Sequence, residues 1–443
     1  MKLFLFALLA FLCGQSFAAD KPHIVFVLAD DMGFGDVGCY GGTIAPTPNL
    51  DRLAREGTRF TRYYSASPIC SPSRCGLITG QFPARWKITS FLQTRAGNRE
   101  CEQADFLEAQ APSLPRILHD AGYATAHIGK WHLGGGRDVQ DAPKFSAYGY
   151  EHGLGTYESP EPAAMLDLQT NALKNEREPQ LIARHDRTRW MVDATLNFLK
   201  TNAARPCFVN LWLDDTHTPW MPATPATSDR NGRENLAAVI VELDKQIGRL
   251  MDAVPAETLL IFATDNGALP TFDGARNTGL RGSKLSLYEG GTRLPFIVRW
   301  PGHVPAARVD DTTVLAAVDM LPTLAKIAAA KLPESYASDG EDVSAALLGK
   351  PFARTKPLFW EYGRNEKSFV YPKPPDRSPN VAMRDGKWKF LINADATGAE
   401  LYDILADPNE TKNLADAQPD IAAKMQTAAL EWRRSLPKLT TTN

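Results

Sequence analysis

The most regular feature of the chain is a short apolar run that stops at a group of polar residues. Such runs predict strands that are buried on both faces, as in a parallel sheet. Because ligands gather at the carboxyl ends of strands in open α/β sheets, the polar residues after these runs are expected to converge on one site. The four clearest runs are His23–Leu28, Tyr123–Ile128, Cys207–Leu213 and Leu259–Ala263.

Helical patterns lie between the apolar runs. In the segment Ser113–Ala121, Ser113 is a suitable cap, Pro115 fits the first turn and Gly122 follows the end. Strands that alternate with helices predict an α/β fold with right-handed crossovers. The other predicted helices of this region are Leu50–Glu56, Thr188–Lys200 and Glu234–Val254.

The pattern changes near residue 350, where short strand-like pieces separated by turns precede a final helix, Asp420–Ser435. We therefore predict a large domain at 20–349, with a mixed and mostly parallel sheet flanked by helices. A smaller C-terminal α+β domain at 350–443 would contain an antiparallel sheet and one helix. Its predicted strands are Leu358–Tyr362, Val381–Arg384, Trp388–Ile392 and Leu401–Tyr402. Segments rich in proline, glycine and polar residues predict surface loops at 136–176, 218–234 and 364–380.

Residues 1–19 have the pattern of a secretory signal peptide. Lys2 precedes an apolar run, Leu3–Leu12, and small residues follow it. This run is too short to span a bilayer. A lipoprotein signal would place a small residue before Cys13, whereas a leucine stands there. The pattern predicts an exported protein, periplasmic or secreted, with no membrane anchor once the signal is removed.

The composition argues against nucleic acid as a partner, and the number of cysteines indicates that they are not all paired. The chain has 443 residues, with 49 basic and 51 acidic side chains and a net charge of −2. Without a basic excess to neutralise phosphates, nucleic acid is not expected as a partner. Removal of the signal leaves Cys39, Cys70, Cys75, Cys101 and Cys207. An odd number in an exported protein means that at least one is unpaired or modified.

Two groups of oxygen ligands follow predicted strands. Asp30 and Asp31 are adjacent carboxylates, which repel each other unless a cation lies beside them. Asp265 and Asn266 add a carboxylate and an amide oxygen at another strand end. Such an all-oxygen set suits Ca²⁺ or Mg²⁺. The alternative is that each pair forms a turn or a helix cap.

Several basic side chains also lie after apolar runs or in glycine-rich segments. Lys130 and His132 would point the same way along an extended backbone. His217 follows a predicted strand, and an imidazole there is a candidate general acid. Lys284 lies between glycine-rich motifs that allow close approach of an anionic ligand. The alternatives are a solvated lysine in each case, and histidines that are hydrogen-bonded in a core or a turn.

The motif Cys70-Ser71-Pro72-Ser73-Arg74, continued by LITG at 77–80, resembles the signature of the type I sulfatases. Within that family the chain resembles arylsulfatase A and the N-acetylgalactosamine-6-sulfatases. Further matching motifs follow in order through nearly the whole mature chain, and together they are far more specific than any one of them. These motifs are Leu28–Gly33 (LADDMG), Gly129–Gly134 (GKWHLG), Thr264–Gly267 (TDNG), Glu289–Pro295 (EGGTRLP), Leu401–Asp403 (LYD) and Asp407–Leu414 (DPNETKNL).

The resemblance implies an alkaline-phosphatase-like fold and a modified cysteine. Cys70 would be oxidised by a maturation enzyme to formylglycine, an aldehyde that hydrates to a geminal diol. One hydroxyl would attack sulfur and displace the alcohol, and deprotonation of the second would then release sulfate. Covalent catalysis of this kind splits one difficult displacement into two easier steps. Arg74 and the N-terminus of a helix starting here would favour an anionic oxygen at position 70.

The resemblance also implies a metal and roles for the basic residues. The metal, Ca²⁺ with Mg²⁺ as the alternative, would act as a Lewis acid. Lys130 and Lys284 would neutralise sulfate oxygens. His217 and Lys284 would assist the leaving oxygen, and His132 would take the diol proton. The implied metal ligands are Asp30, Asp31, Cys70, Asp265 and Asn266.

Taken together, these features predict a sulfatase that cleaves a sulfate monoester on a small molecule or glycan, with a carbohydrate favoured. One alternative is a phosphate or phosphonate monoester hydrolase of the same superfamily. Another is a sulfated-glycan-binding protein that has lost catalysis. Cys75 lies inside the helix predicted to follow Cys70 and is expected to be a small packed residue. Disulfides among Cys39, Cys75, Cys101 and Cys207 remain open, with three complete pairings.

Overall fold

The computed structural model describes residues 21–136, 138–156, 182–369 and 376–438. The predicted signal peptide lies outside the described residues, as do parts of the predicted loops 136–176 and 364–380. The strands are β1 Ile24–Ala29, β2 Thr58–Tyr64, β3 Ala124–Gly129, β4 His152–Gly155, β5 Cys207–Trp212, β6 Leu259–Thr264, β7 Arg293–Arg299, β8 Arg308–Asp310, β9 Leu315–Ala316, β10 Leu358–Glu361, β11 Val381–Asp385, β12 Trp388–Ile392 and β13 Glu400–Asp403.

Ten α-helices occur in the same described part of the chain. They are α1 Pro48–Glu56, α2 Cys70–Thr79, α3 Arg95–Glu100, α4 Leu114–Asp120, α5 Arg187–Thr201, α6 Arg233–Ala253, α7 Glu289–Thr292, α8 Met320–Ile327, α9 Ser344–Leu347 and α10 Pro419–Ser435. None of the helices that the structure describes is long and apolar enough to cross a membrane.

The central sheet has the order β4-β3-β5-β1-β6-β7-β2-β8, and β9 also pairs with β2. Strand β7 is antiparallel to both of its neighbours, whereas the other pairings in this sheet are parallel. The predicted mixed, mostly parallel sheet is confirmed. Strands β3, β5, β1 and β6 are consecutive, so their carboxyl ends form one continuous edge.

The central strand shows why these apolar runs form this sheet. All six residues of β1 are buried. Phe26 and Leu28 belong to one hydrophobic cluster, whereas Val25 and Val27 belong to another. Because neighbouring side chains point to opposite faces of a strand, a continuous apolar run fits only a sheet that is covered on both sides.

Some local predictions were wrong. The segment 136–176 was predicted as a loop, but it contains the edge strand His152–Gly155, which pairs with β3. Ser113 precedes its helix as predicted, yet its hydroxyl donates to the carbonyl of Tyr148 at 2.6 Å instead of capping the helix. Strands β2 and β7 were not predicted. Strand β2 mixes polar and apolar residues and has an irregular register between Phe60 and Tyr63.

The C-terminal region forms an antiparallel sheet of four strands, β10-β11-β12-β13, as predicted. Helix α10 packs on it through Met425 and Ala429. A buried ion cluster joins this sheet to the large domain. Lys389 Nζ lies 2.8 Å from Glu289 Oε1 and 3.1 Å from Glu410 Oε1, and these three side chains are almost inaccessible to solvent.

Candidate active site

Four neighbouring strand ends deliver the predicted site residues to one edge of the sheet. Asp30 and Asp31 follow β1, Lys130 follows β3, and Asp265 and Asn266 follow β6. His217 lies in the turn after β5. The expected convergence is therefore present in the structure, and it depends on the parallel order of β3, β5, β1 and β6.

Cys70 lies at the centre of this group, as the first residue of α2. Its Sγ is 3.5 Å from Asp30 Oδ1 and 3.4 Å from Lys130 Nζ, and the residue is 2 % exposed. Burial and the charge of Asp30 raise the pKa of the Cys70 thiol to about 12. The thiol is therefore neutral near pH 7 and is a poor nucleophile in its unmodified form.

The acidic residues form a compact set around Cys70. Ligand atoms of Asp30, Cys70 and Asp265 lie within 4.8 Å of one another. Burial would raise the pKa of Asp30, but Lys130 and Arg74 outweigh it and hold that pKa well below its usual range. Burial and the neighbouring Asp30 raise the pKa of Asp265 to about 7. Carboxylates this close favour a cation between them.

Asn266 supplies a further observation in favour of a cation. Its Nδ2 donates to Asp31 Oδ1 at 2.7 Å, which fixes the orientation of the amide. Its Oδ1 is buried and has no hydrogen-bond partner among the residues that the structure describes. A buried acceptor of this kind needs a partner. An amide oxygen beside three carboxylates is a ligand set typical of Ca²⁺ or Mg²⁺.

Three cations face the carboxylates. Arg74 donates from Nη2 to Asp265 Oδ2 at 2.7 Å, and Lys130 pairs with Asp30. Lys284 Nζ lies 2.7 Å from Asp31 Oδ2. Burial opposes the charge of each lysine, but the facing carboxylates prevail and raise the pKa of both ammonium groups. The alternative of solvated lysines is thus wrong, because both are buried in ion pairs.

The segment that carries Lys284 is fixed by close backbone packing. The amide of Lys284 donates to the carbonyl of Ala268 at 2.8 Å. A Cβ on Gly291 would lie 1.9 Å from the carbonyl oxygen of Ser286, so only glycine fits there. The glycine pair after Glu289 therefore lets the two backbone segments touch and directs Lys284 toward Asp31.

The two histidines border the cluster on different sides. The ring nitrogen His217 Nδ1 lies 2.8 Å from the carbonyl of Thr218, and Nε2 lies 3.8 Å from Asp31 Oδ2. His132 Nε2 lies 3.1 Å from the carbonyl of Leu92. Because a carbonyl only accepts, Nδ1 of His217 and Nε2 of His132 carry the proton in the neutral rings.

Both imidazoles are held neutral by their surroundings. Desolvation of the partly buried ring and the charge of Lys284 lower the pKa of His217 to about 4. Burial and the charge of Lys130 lower the pKa of His132 well below its usual value. In the neutral rings the basic nitrogens are His217 Nε2, beside Asp31, and His132 Nδ1.

Comparison with known proteins identifies the family. The sulfatase family model matches residues 22–330, which includes every predicted site residue. A second model, for the C-terminal region of N-sulphoglucosamine sulphohydrolase, matches residues 283–435. The chain belongs to the sulfatase family.

Individual relatives agree with this result. The chain is 28 % identical to an N-acetylgalactosamine-6-O-sulfatase of Bacteroides thetaiotaomicron, over 93 % of each chain. It is 32 % identical to human arylsulfatase A, over 94 % of this chain and 88 % of the relative. The crystal structure of Ps i-CgsB in complex with k-i-k-neocarrahexaose covers 95 % of this chain and 96 % of its own, with 25 % identity and a TM-score of 0.75. The protein is accordingly an enzyme, a sulfuric ester hydrolase.

Supporting contacts in this sulfatase were not visible in the sequence. Arg74 Nη1 donates to the carbonyl of Lys130 at 2.8 Å, and Arg184 Nη2 donates to the carbonyl of His217 at 2.5 Å. Thr216 Oγ1 donates to the carbonyl of Asp30 at 2.5 Å. These contacts run from side chain to main chain over long sequence separations, so only a family alignment or the fold could have revealed them.

The other described cysteines of the sulfatase form no disulfides, and Cys75 packs in the hydrophobic core. All five described cysteines are free thiols, so none of the open disulfide pairings is present in the described residues. Cys75 is fully buried in α2 within the main hydrophobic cluster, as predicted for a small packed residue. Burial raises the pKa of its thiol, and the causes of that shift include no carboxylate or ammonium group. The two cysteines of this helix therefore have different environments.

Proposed function

We propose that this sulfatase hydrolyses a sulfate monoester carried by a carbohydrate, with a nucleophile formed from Cys70 and a bound Ca²⁺ ion. The observation that supports this most directly is the position of Cys70. It lies at the first turn of a helix, within 3.5 Å of a carboxylate of the ligand set and within 3.4 Å of a lysine ammonium. A reacting group there meets the metal ligands and the anion-binding cations at once.

Cys70 in this structure is the precursor of that nucleophile. Its thiol is held neutral, so thiolate attack is disfavoured, whereas conversion to formylglycine would supply a hydroxyl group. An enzyme that oxidises Cys70 is therefore a required partner. The N-terminus of α2 and the nearby Lys130 favour an oxygen that gains negative charge at this position.

The proposed metal ligands are Asp30, Asp31, Asp265 and Asn266, with the modified residue 70. A divalent cation held there would polarise the sulfate ester as a Lewis acid, with Ca²⁺ favoured by the oxygen ligands and Mg²⁺ as the alternative. Three carboxylates already face three cations, Arg74, Lys130 and Lys284. Added positive charge would make the pocket attractive to an anionic ester.

The basic residues would share the remaining tasks. Lys130 and Lys284 would bind sulfate oxygens, since both ammonium groups stay protonated. The charge of Lys284 acts on the His217 ring, and the two would assist the leaving oxygen, with Lys284 as the proton source because neutral His217 holds its proton at Nδ1. His132 would accept a proton at Nδ1, because its Nε2 is directed at the carbonyl of Leu92.

A carbohydrate substrate is supported by the relatives. One is named for N-acetylgalactosamine 6-O-sulfate cleavage, and a similar structure holds a neocarrahexaose.

We further propose that residues 20–349 form the catalytic domain, because all predicted site residues lie there, and that residues 350–443 form the C-terminal domain. Export after removal of residues 1–19 is proposed from the pattern of the leader.

The test is sulfate release from a panel of sulfated mono- and oligosaccharides, measured beside nitrophenyl sulfate and nitrophenyl phosphate. We expect release from at least one sulfated saccharide and a strong preference for nitrophenyl sulfate over the phosphate. Preference for the phosphate would favour the phosphate or phosphonate monoesterase instead. Binding of sulfated saccharides without any sulfate release, by protein modified at residue 70, would favour a binding protein.

A further inference from the structure

Asp31 has an unusual backbone. Its φ is 58°, in the left-handed region that non-glycine residues rarely adopt. This turn directs the carboxylate toward Lys284 Nζ, at 2.7 Å, and toward the Asn266 amide, at 2.7 Å. A strained residue at a ligand position persists only where its surroundings hold it in place. The structure must therefore contain groups that fix the peptide of Asp31.

Arg276 is the group that binds the carbonyl side of this peptide. Its Nη2 donates to the carbonyl oxygen of Asp31 at 2.7 Å. Its guanidinium also forms a two-pronged pair with Asp36, with Nε 2.9 Å from Oδ1 and Nη2 2.8 Å from Oδ2. Arg276 and Asp36 are both fully buried. On the other side, the amide of Asp31 donates to Asp265 Oδ1 at 3.2 Å.

Asp36 also binds the backbone of the residues that follow Asp31 in the same turn. Its Oδ2 accepts a hydrogen bond from the amide of Gly33 at 3.0 Å. A Cβ on Gly33 would lie 2.3 Å from the carbonyl oxygen of Arg276, so the two backbones are in direct contact. The residues just after Asp31 and the segment around Arg276 are thus one packed unit, although they lie 240 positions apart.

The same arginine also contacts the segment that carries His217. Its guanidinium carbon lies 5.4 Å from the ring centroid of Trp220, and Trp220 Nε1 donates to the carbonyl of Thr216 at 2.9 Å. His217 Nε2 in turn lies 3.8 Å from Asp31 Oδ2. Arg276 is therefore placed between the turn of Asp31 and the turn of His217.

We propose that Arg276 and Asp36 are positioning residues that hold Asp31 in its left-handed conformation and so present its carboxylate to the cation site and to Lys284. The role of the carboxylate as a metal ligand rests on the function proposed above. The fixed backbone conformation of Asp31 does not depend on that function, because it follows from the contacts of Arg276, Asp36 and Gly33.

The test uses a paired variant, Arg276→Gln with Asp36→Asn, which removes both buried charges together and avoids leaving one unpaired. Its matched control is Arg354→Gln with Asp319→Asn. Asp319 is also fully buried, accepts from a backbone amide three residues earlier (Ala316, 2.7 Å) and pairs with an arginine, but it has no contact with Asp31. Both variants should lose thermal stability.

The first measurement is amide hydrogen exchange in the segment 29–35 of the metal-free enzyme. We expect clearly faster exchange in the Arg276/Asp36 variant and unchanged exchange in the control, under conditions where both are folded by circular dichroism and cooperative melting. Exchange in 29–35 equal to that of the unaltered enzyme would overturn the proposal. This result does not depend on metal binding or on activity.

The second measurement is Ca²⁺ affinity by calorimetry. Loss of an outer partner of a metal ligand typically weakens affinity by about 10–100-fold, and we expect that range for the Arg276/Asp36 variant and a change below about twofold for the control. Arg276→Lys, which keeps the charge but cannot make both contacts at once, should fall between them. Unaltered affinity in the paired variant would overturn the positioning role. If the unaltered enzyme bound no Ca²⁺, the proposed function would fail, and hydrogen exchange alone would decide the hold on the backbone.

Discussion

At the scale of single residues, Cys70 and Cys75 show how surroundings separate two identical side chains. Both are buried in α2, five positions apart. Both belong to the main hydrophobic cluster, but of the two only Cys70 also has its Sγ within 3.5 Å of Asp30 and 3.4 Å of Lys130. Their sequence context, CSPSRC, leaves open a disulfide, a joint metal site or a nucleophile. The neighbours in the fold explain why only Cys70 is a candidate for chemistry.

We expect Cys70→Ala to abolish sulfate release while the protein stays folded, because the proposed nucleophile cannot form without Cys70. Peptide mass spectrometry of enzyme made in a maturing host should find residue 70 about 18 Da lighter than cysteine, as oxidation of the thiol to an aldehyde requires. The control is Cys75→Ala, which should keep its activity and lose on the order of 1 kcal/mol of stability. Full activity in Cys70→Ala, or an unmodified thiol in active enzyme, would contradict the assignment.

Lys284→Met should lower kcat for a sulfated saccharide by about 10²–10⁴-fold, since it removes the proposed proton donor at the leaving oxygen. The loss should be smaller with nitrophenyl sulfate, whose leaving group needs less protonation. The comparison variant is Lys245→Met, because Lys245 is 67 % exposed and pairs with Glu242 on the surface. Equal losses with both substrates would exclude Lys284 from leaving-group protonation.

At the scale of elements, arginines fix the turns that carry the site. Arg74, Arg184 and Arg276 each donate to a main-chain carbonyl, those of Lys130, His217 and Asp31 respectively. A guanidinium has several donors in a fixed plane, so it can join a turn to a carboxylate or to a second carbonyl. The strand ends supply the location of the site, and these arginines supply its rigidity.

The sequence predicts the four central strands well because each is a continuous apolar run with polar residues at its end. It also indicates the candidate site residues that the fold brings together, since each lies next to such a run or in a family motif. It does not predict that β7 runs antiparallel to its neighbours in the central sheet, nor the edge strand His152–Gly155. Partners such as Asp36 and Arg276 are 240 positions apart and carry no local pattern, so their pairing appears only once the chain is folded.

The buried cluster between the two sheets gives a prediction at this scale. Lys389→Met leaves Glu289 and Glu410 as buried carboxylates without their shared cation. Removal of one partner from such a group typically costs about 3–5 kcal/mol of stability. In the control, Lys387→Met, a 48 % exposed lysine on the same hairpin is replaced, with an expected cost below about 0.5 kcal/mol. Equal denaturation midpoints for the two variants would show that the cluster does not stabilise the junction.

At the scale of the whole molecule, the charge is nearly balanced but unevenly distributed. The net charge is only −2, yet three carboxylates and three cations are enclosed at one edge of the sheet. Charges in such an enclosed group are poorly screened by salt and by water. Binding of an anion or a metal there should therefore raise the free energy of unfolding of the entire fold.

Calcium should stabilise the enzyme more as the pH rises. The pKa of Asp265 is raised to about 7 in the metal-free fold, against about 3.9 for an unfolded aspartate. Between these values the folded state holds a proton that the unfolded state has released, so metal-free stability falls as pH rises through this window. Calcium bound at the proposed site would compensate the ionised carboxylate, so the gain in Tm should grow from about pH 5 to about pH 8.

The measurement is thermal unfolding with chelator and with Ca²⁺ at each pH. Asp215→Asn is the control, because burial and Asp214 raise the pKa of Asp215 to about 6 without any contact to Cys70 or Asp265. This variant should alter the pH profile equally with and without Ca²⁺. A calcium effect that is constant across the pH range would argue against Asp265 as the titrating group.

The enclosure of Cys70 limits when the proposed oxidation of this residue could occur. At 2 % exposure, in the first turn of a packed helix, it is out of reach of any other protein once the chain has folded. The proposed oxidation must therefore take place on the nascent or still unfolded chain, in competition with folding. Folded enzyme produced without maturation should stay inactive when the maturation enzyme is supplied later, whereas a synthetic peptide spanning 65–80 should still be modified. The yield of active enzyme would then depend on whether oxidation of Cys70 is faster than burial of Cys70 by folding.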